Sequence, residues 1–96
     1  MQITVEYLGH IRTIMNSNRT EEIEIEGNSS VADLLLVLSK KYGTPFMEAI
    51  YEPGGKDIKP YFMATVNGFL LNQLKGIETK LNNGDRVILM PVVSGG

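Results

Sequence analysis

The chain has 96 residues, 43% of them hydrophobic, which suits one small core, since a domain of this size buries only about 60–65% of its unfolded surface and cannot divide it. The formal net charge is −2, and the nine Lys and Arg are scattered, with no basic run longer than Lys40-Lys41. This excludes the clustered basic face that holds nucleic acid or an anionic membrane. With no cysteine there is no disulfide, thiolate metal site or thiol nucleophile. No stretch nears the roughly 20 apolar residues of a spanning helix, so a soluble, cytoplasmic protein is expected.

From Gln2 to Leu8, Ile3, Val5 and Tyr7 alternate with Gln2, Thr4 and Glu6, the period of a strand with one buried face. Glu22-Ile23-Glu24-Ile25-Glu26 repeats the pattern with its charges outward, and polar Asn16 to Arg19 marks a turn, so these two strands are expected to pair as a hairpin. Alternate Glu residues on a strand do not converge, so the acidic row reads as solvent-facing rather than as a metal site.

Ser29-Ser30 precedes Val31, Leu34, Leu35, Leu38 and Tyr42, which fall on one helical face. Asp33 stands three residues after Ser30, where a capping box places its acid. The spacing predicts a helix over about 30–42, closed by Gly43 as a left-handed C-cap and barred from continuing by Pro45. Phe46, Met47 and Ile50 suit a short helix. Beyond them Pro53-Gly54-Gly55-Lys56-Asp57 is turn chemistry, and 51–61 reads as a loop or insertion. Its glycines follow no strand and lead into no helix with Ser or Thr, so they do not form a phosphate loop.

Phe62 to Val66 is strand-like, Asn67-Gly68 is a two-residue hairpin signal because both positions accept positive φ, and Phe69-Leu70-Leu71 suits the returning strand. Leu81-Asn82-Asn83-Gly84-Asp85 predicts a turn. Arg86 to Met90 is a dense apolar run that suits a central strand buried on both faces, and Pro91 ends ladder donation. The order is two strands, one main helix, then two or three strands: an α+β chain in which the last strand finds a parallel neighbour in the first, with the helix crossing one face.

Side-chain chemistry is sparse. The single histidine, His10, has no evident partners, no serine sits in a strand-to-helix elbow, and Asp33, Asp57 and Asp85 each have a local role in a cap or turn. The chain end is different. A terminal Gly95-Gly96 arises by chance in about one chain in two hundred at average glycine usage. Four residues, Val93 to Gly96, reach about 13 Å when extended, enough to enter a partner's active site. Glycine at both last positions lets the backbone pass a narrow channel and leaves the terminal carbonyl open to attack. A carboxylate is a poor electrophile, but joined to AMP it becomes a mixed anhydride open to a sulfur or nitrogen nucleophile.

Val66-Asn67-Gly68 before a short hairpin, Asn83-Gly84-Asp85-Arg86-Val87 leading into the last strand, and Met90-Pro91-Val92-Val93-Ser94-Gly95-Gly96 at the end together resemble the ubiquitin-like sulfur carriers, and most closely the small subunits of molybdopterin synthases. The resemblance covers nearly the whole chain, least well over Tyr51 to Tyr61. It implies a β-grasp fold, a mixed sheet of four to five strands with one main helix across it, as a single domain over 1–92, followed by a flexible tail, 93–96. It also implies that a ubiquitin-activating-type adenylyltransferase spends ATP to adenylate the Gly96 carboxylate, and that a sulfur donor converts the adenylate to a thiocarboxylate. Met90, Pro91, Val92, Val93, Ser94 and Gly95 would then thread into a molybdopterin synthase large subunit, which takes the sulfur. No tightly bound cofactor, no metal and no catalysis by the chain itself are implied. Family members commonly carry an aromatic residue and two prolines before the tail. This chain has Met90, Pro91 and Val92 instead, a departure that bears on the identity of the large subunit. The same chemistry also serves thiamine synthesis, tRNA thiolation or attachment to target-protein lysines, and a non-catalytic interaction domain is the alternative outside it.

Overall fold

Ile3, Val5 and Tyr7 are fully buried on one side of β1, Gln2–Tyr7, and their parity sets the layout of the rest. A computed structural model describes residues 1–9, 11, 19–54, 58–60 and 62–91. Strand β2, Thr20–Glu24, pairs antiparallel with β1, with Ile3 opposite Ile23. The expected pairing holds, although the segment from Leu8 to Arg19 that joins the strands is too long for a tight turn. Within it Ile11 is buried in the core, while His10 and the turn expected at 16–18 lie outside the described residues.

The first helix, α1, runs Val31–Tyr42 with Ser30 as N-cap. Asp33 N–H donates to Ser30 Oγ at 3.3 Å and Ser30 N–H donates to Asp33 Oδ2 at 2.8 Å, so the capping box satisfies two donors at the helix start. Ser30→Ala is expected to cost about 1 kcal/mol of stability, read as a lower urea midpoint with unchanged slope. Gly43 closes the helix at φ 78° with ψ −155°, a positive φ that glycine accepts but not the left-handed helical well expected. That ψ turns the chain straight into α2, Thr44–Ile50, where Pro45 occupies the first turn and costs no hydrogen bond. Residues 46–50 are thus regular structure: Phe46 and Ile50 are fully buried.

Past α2, Tyr51 bridges Ile58 and Lys59 N–H donates to Ile50 O at 2.9 Å, which ties the described ends of the insertion to the helix. Residues 55–57, including Asp57, and Tyr61 lie outside the described residues. Strand β3, Phe62–Val66, turns through Asn67 (φ 51°) and Gly68 (φ 88°) into β4, Phe69–Leu70, the paired positive φ values of a primed hairpin turn. Leu71 leaves the sheet at once into two 3₁₀ turns, Leu71–Gln73 and Gly76–Glu78, which periodicity does not announce.

Strand β5, Arg86–Pro91, lies parallel to β1 and antiparallel to β3, giving the order β2-β1-β5-β3-β4. This is the β-grasp arrangement with five strands. Val31, Leu34, Leu35 and Leu38 of α1 pack on one sheet face with Ile3, Val5, Tyr7, Ala64, Val66, Val87 and Leu89. Each such side chain contributes on the order of 1.5–3 kcal/mol by leaving water, before the entropy of ordering it. The expectation that β5 is buried on both faces is corrected: Val87 and Leu89 are fully buried, but Ile88 and Met90 are only half-buried. The main helix covers one side of the sheet, and among the described residues no second layer lies on the other. Pro91 stays in the strand. Leu89 O accepts from Leu8 N–H at 3.0 Å, so the Pro91 nitrogen, two residues on, faces the same flank past the end of β1, where no donor is needed.

Candidate functional site

The central strand carries the chain toward the site the sequence singles out. Of the tail residues, Met90 and Pro91 are the last two of β5, opposite Met63 and Phe62. Val92, Val93, Ser94, Gly95 and Gly96 lie outside the described residues. Because β1 and β5 are parallel, with Tyr7 opposite Leu89, the chain leaves from the end of the sheet where β1 also finishes.

The sheet face away from α1 is divided by chemistry. On β3, β4 and β5 it presents Met63, Leu70, Ile88 and Met90 around Thr65, and Met63 is 38% exposed. Beside them lies a cleft of about 280 Å³ lined by Pro60, Phe62, Met63, Leu70, Leu71 and Asn72. On β1 and β2 the same face presents Glu6, Glu22 and Glu24, with Arg86 of β5 paired to Glu6 at the boundary and the N-terminal ammonium 2.8 Å from Glu24. An apolar patch with one polar margin is what a protein-docking surface requires, and this one adjoins the point where the tail departs.

The end of the sheet near that point is braced by a group that sequence patterning missed. Glu21 stands opposite Val5, so it points inward with Ile23 and Ile25 rather than outward with Glu22 and Glu24. Its carboxylate accepts from Tyr7 Oη at 2.6 Å, Tyr42 Oη at 2.7 Å and Lys41 Nζ at 2.7 Å, joining β1, β2 and the last turn of α1. Burial alone would raise its pKa, but hydrogen bonds from Lys41, Tyr7 and Tyr42 outweigh it and hold Glu21 below the ordinary carboxylate range. Burial, then the neighbouring carboxylate, pushes the Tyr7 hydroxyl far up, so Tyr7 remains a donor at every physiological pH. The signal was parity: 21, 23 and 25 share one face of the strand.

A second bracket fixes the start of β5. Asp85, nearly buried, accepts from Asn82 N–H at 2.7 Å and from the Asn67 side-chain amide at 2.9 Å, while Asn67 Oδ1 accepts from Arg86 N–H at 2.9 Å. The β3–β4 turn is thereby clamped to the turn before β5, so the two strands of the apolar patch keep one register. Asp33 and Asp85 thus have the local roles expected of them. Among the described residues no three His, Asp or Glu side chains converge as metal ligands, and no helix is long and apolar enough to cross a membrane.

Comparison with known proteins adds family evidence to this geometry. Residues 5–96 match the ThiS family. A proposed sulfur carrier protein of Archaeoglobus fulgidus is 28% identical over 75 residues, 78% of this chain and 84% of its own length. The molybdopterin synthase sulfur carrier subunit of Mycobacterium tuberculosis is 27% identical over 96 residues, 100% of this chain and 99% of that one. Among solved structures, small archaeal modifier protein 1 of Methanosarcina acetivorans superposes with a TM-score of 0.81 at 27% identity, covering 99% of this chain and 96% of that one. The fold, the split sheet face and these matches over nearly the full chain place it together: the protein belongs to the ThiS family of ubiquitin-like sulfur carriers, with the β-grasp fold.

Proposed function

We propose that the protein carries sulfur on the carboxylate of Gly96 for molybdopterin synthesis in the cytoplasm. The observation that carries the reading is that the central strand β5 ends, at Met90 and Pro91, beside the apolar patch of Met63, Leu70, Ile88 and Met90. A partner gripping that patch has the tail within reach, since five extended residues span at most about 17 Å. A ubiquitin-activating-type enzyme supplies ATP. The carboxylate oxygen attacks the α-phosphorus and pyrophosphate leaves. Sulfur at the hydrosulfide level, from a donor, then displaces AMP at the carbonyl carbon and leaves a thiocarboxylate. Gly95, Ser94, Val93 and Val92 thread the enzyme's channel, Pro91 and Met90 meet its rim from the end of β5, and catalysis belongs to the partners. The full-length match to the Mycobacterium tuberculosis subunit supports a molybdopterin synthase large subunit as acceptor.

Mass spectrometry of the protein from its native host tests this reading: exchange of one oxygen for sulfur at Gly96 is the expected result, and exclusive recovery of the plain carboxylate under conditions of active cofactor synthesis counts against it. The likeness to small archaeal modifier protein 1 favours a second reading, transfer of the same activated Gly96 to target lysines. The same experiment separates the two, because that outcome gives isopeptide-linked branches on other proteins. Docking is tested by Met63→Asp, which puts a carboxylate into the apolar patch. The KM for this carrier in ATP–pyrophosphate exchange by the activating enzyme is expected to rise about tenfold or more, with the fold kept and a stability loss of about 1 kcal/mol, because the side chain is 38% exposed but aspartate suits a strand poorly.

A further inference from the structure

The helix has an apolar side that the core does not use. Leu34 to Leu38 are five consecutive apolar residues. Leu34, Leu35 and Leu38 are fully buried, whereas Leu36 is 54% and Val37 is 37% exposed. An amphipathic helix keeps polar residues on its solvent side, as α1 does at Asp33, Lys40 and Lys41, and Leu36 and Val37 interrupt that side with an apolar patch. Leu36 and Val37 form one wall of a cleft of about 690 Å³, with Asp33 beside them, and the other wall is Glu24 to Ser29 at the end of β2.

The second feature of this cleft is a sheet edge that no other described strand covers. Strand β2 is outermost in the sheet. Met1 and Ile25 exchange backbone hydrogen bonds at 2.7 and 2.9 Å, and Tyr7 N–H donates to Arg19 O at 2.8 Å. The odd-numbered residues therefore turn their backbone groups toward β1, and Thr20, Glu22 and Glu24 turn theirs outward. A strand laid along that edge continues the ladder. Its alternate side chains fall on the α1 side, beside Ile23 and Ile25 and against Leu36 and Val37, and the intervening ones fall beside Glu22 and Glu24.

From this juxtaposition we propose that the edge of β2 and the outer side of α1 form a second docking surface, separate from the patch beside the tail. Its occupant is an extended partner segment in which aliphatic and basic residues alternate. The aliphatic side chains cover Leu36 and Val37. The basic ones meet Glu22 and Glu24, opposite charges across a strand pair being favourable. The charge pattern selects against a second copy of the chain, because β2 against β2 sets two Glu rows face to face. Lys41, at the far end of the helix, is paired with Glu21; Glu24 is paired with the N-terminal ammonium and Lys80 Nζ donates to Asn28 O in the cleft wall, so Glu22 carries most of the edge's selectivity for a basic side chain. This surface lies at the β2 edge and the tail patch on β5, β3 and β4 across the sheet, so both partners are held at once.

The test is an amide-resonance titration of the full chain with a short, end-blocked peptide alternating lysine and valine, against a peptide of the same composition with the valines and lysines in separate blocks. The alternating peptide is expected to give saturable shifts at residues 20–26, Leu36 and Val37, and slowed amide exchange at Glu22 and Glu24. Leu36→Gln and Glu22→Lys, both at exposed positions, are each expected to weaken it about tenfold, and Glu22→Lys is expected to improve binding of a glutamate–valine version. Equal binding of the blocked-composition peptide reduces the effect to net charge and overturns the proposal. So do shifts centred on Met63 and Ile88, or no saturable shift at all.

Discussion

Removing Gly96 is expected to abolish charging while the protein remains as stable as before. Adenylation needs the carboxylate oxygen in line with the α-phosphorus, and deletion of one residue withdraws it by about 3.5 Å, while misplacement by even about 1 Å can cost on the order of 100-fold. Gly96→Ala keeps the carboxylate but adds a Cβ where the chain enters a narrow channel, and charging is expected to fall to background in that variant as well. ATP–pyrophosphate exchange with the cognate activating enzyme measures both. The melting temperature is the control, expected within about 3 °C of the parent, because a chain terminus past the last strand contributes little to the fold. A variant that charges normally removes Gly96 from the mechanism, and one that unfolds makes the tail a structural element.

Glu21→Ala is expected to cost about 1–3 kcal/mol of stability, since it leaves the fully buried Tyr7 without the acceptor of its hydroxyl. The contribution of Lys41 is discounted, because that side chain is 49% exposed and screened. Chemical denaturation at neutral pH gives the value. The pH dependence has a definite sign. The folded pKa of Glu21 lies below the ordinary carboxylate value, which is about 4.3 for a free Glu. Its contribution is therefore complete above that value and is lost as pH falls through the folded pKa. Glu21→Gln still accepts from both tyrosines but does not titrate, so its stability is expected to change less over the same acid range. An unchanged acid limb in Glu21→Gln would assign the loss to other carboxylates.

These residues also mark where sequence reading stops. The strands were legible because one buried face gives a period of two, and α1 was legible to its caps because Ser30, Asp33 and Gly43 act within a few residues of one another. The Asn67-Gly68 turn is equally local. Glu21 was not legible as a keystone, because its three partners lie at 14, 20 and 21 residues' distance and meet only once β1, β2 and α1 are assembled. The half-open state of β5 was hidden for a related reason. Arg86-Val87-Ile88-Leu89-Met90 reads as doubly buried, and only the layer count shows that Ile88 and Met90 have been left for something else. Of the tail singled out by composition and register, Val92 to Gly96 lie outside the described residues, and Met90 and Pro91 are the end of β5.

The place of β5 also governs when in its lifetime the molecule can exist at all. Without Arg86–Pro91 the sheet is two separate pieces, β2-β1 and β3-β4, and contacts such as Gln2 N–H to Asn83 Oδ1 close across 81 residues. Such long closures are slow, and until they form the leucine-rich helix has no complete surface to cover it. Synthesis delivers the strand that completes the core last, only five residues before Gly96. A product cut short before Arg86 therefore loses its fold together with the end on which we propose the chemistry rests, and only one cut within the last five residues can fold without it.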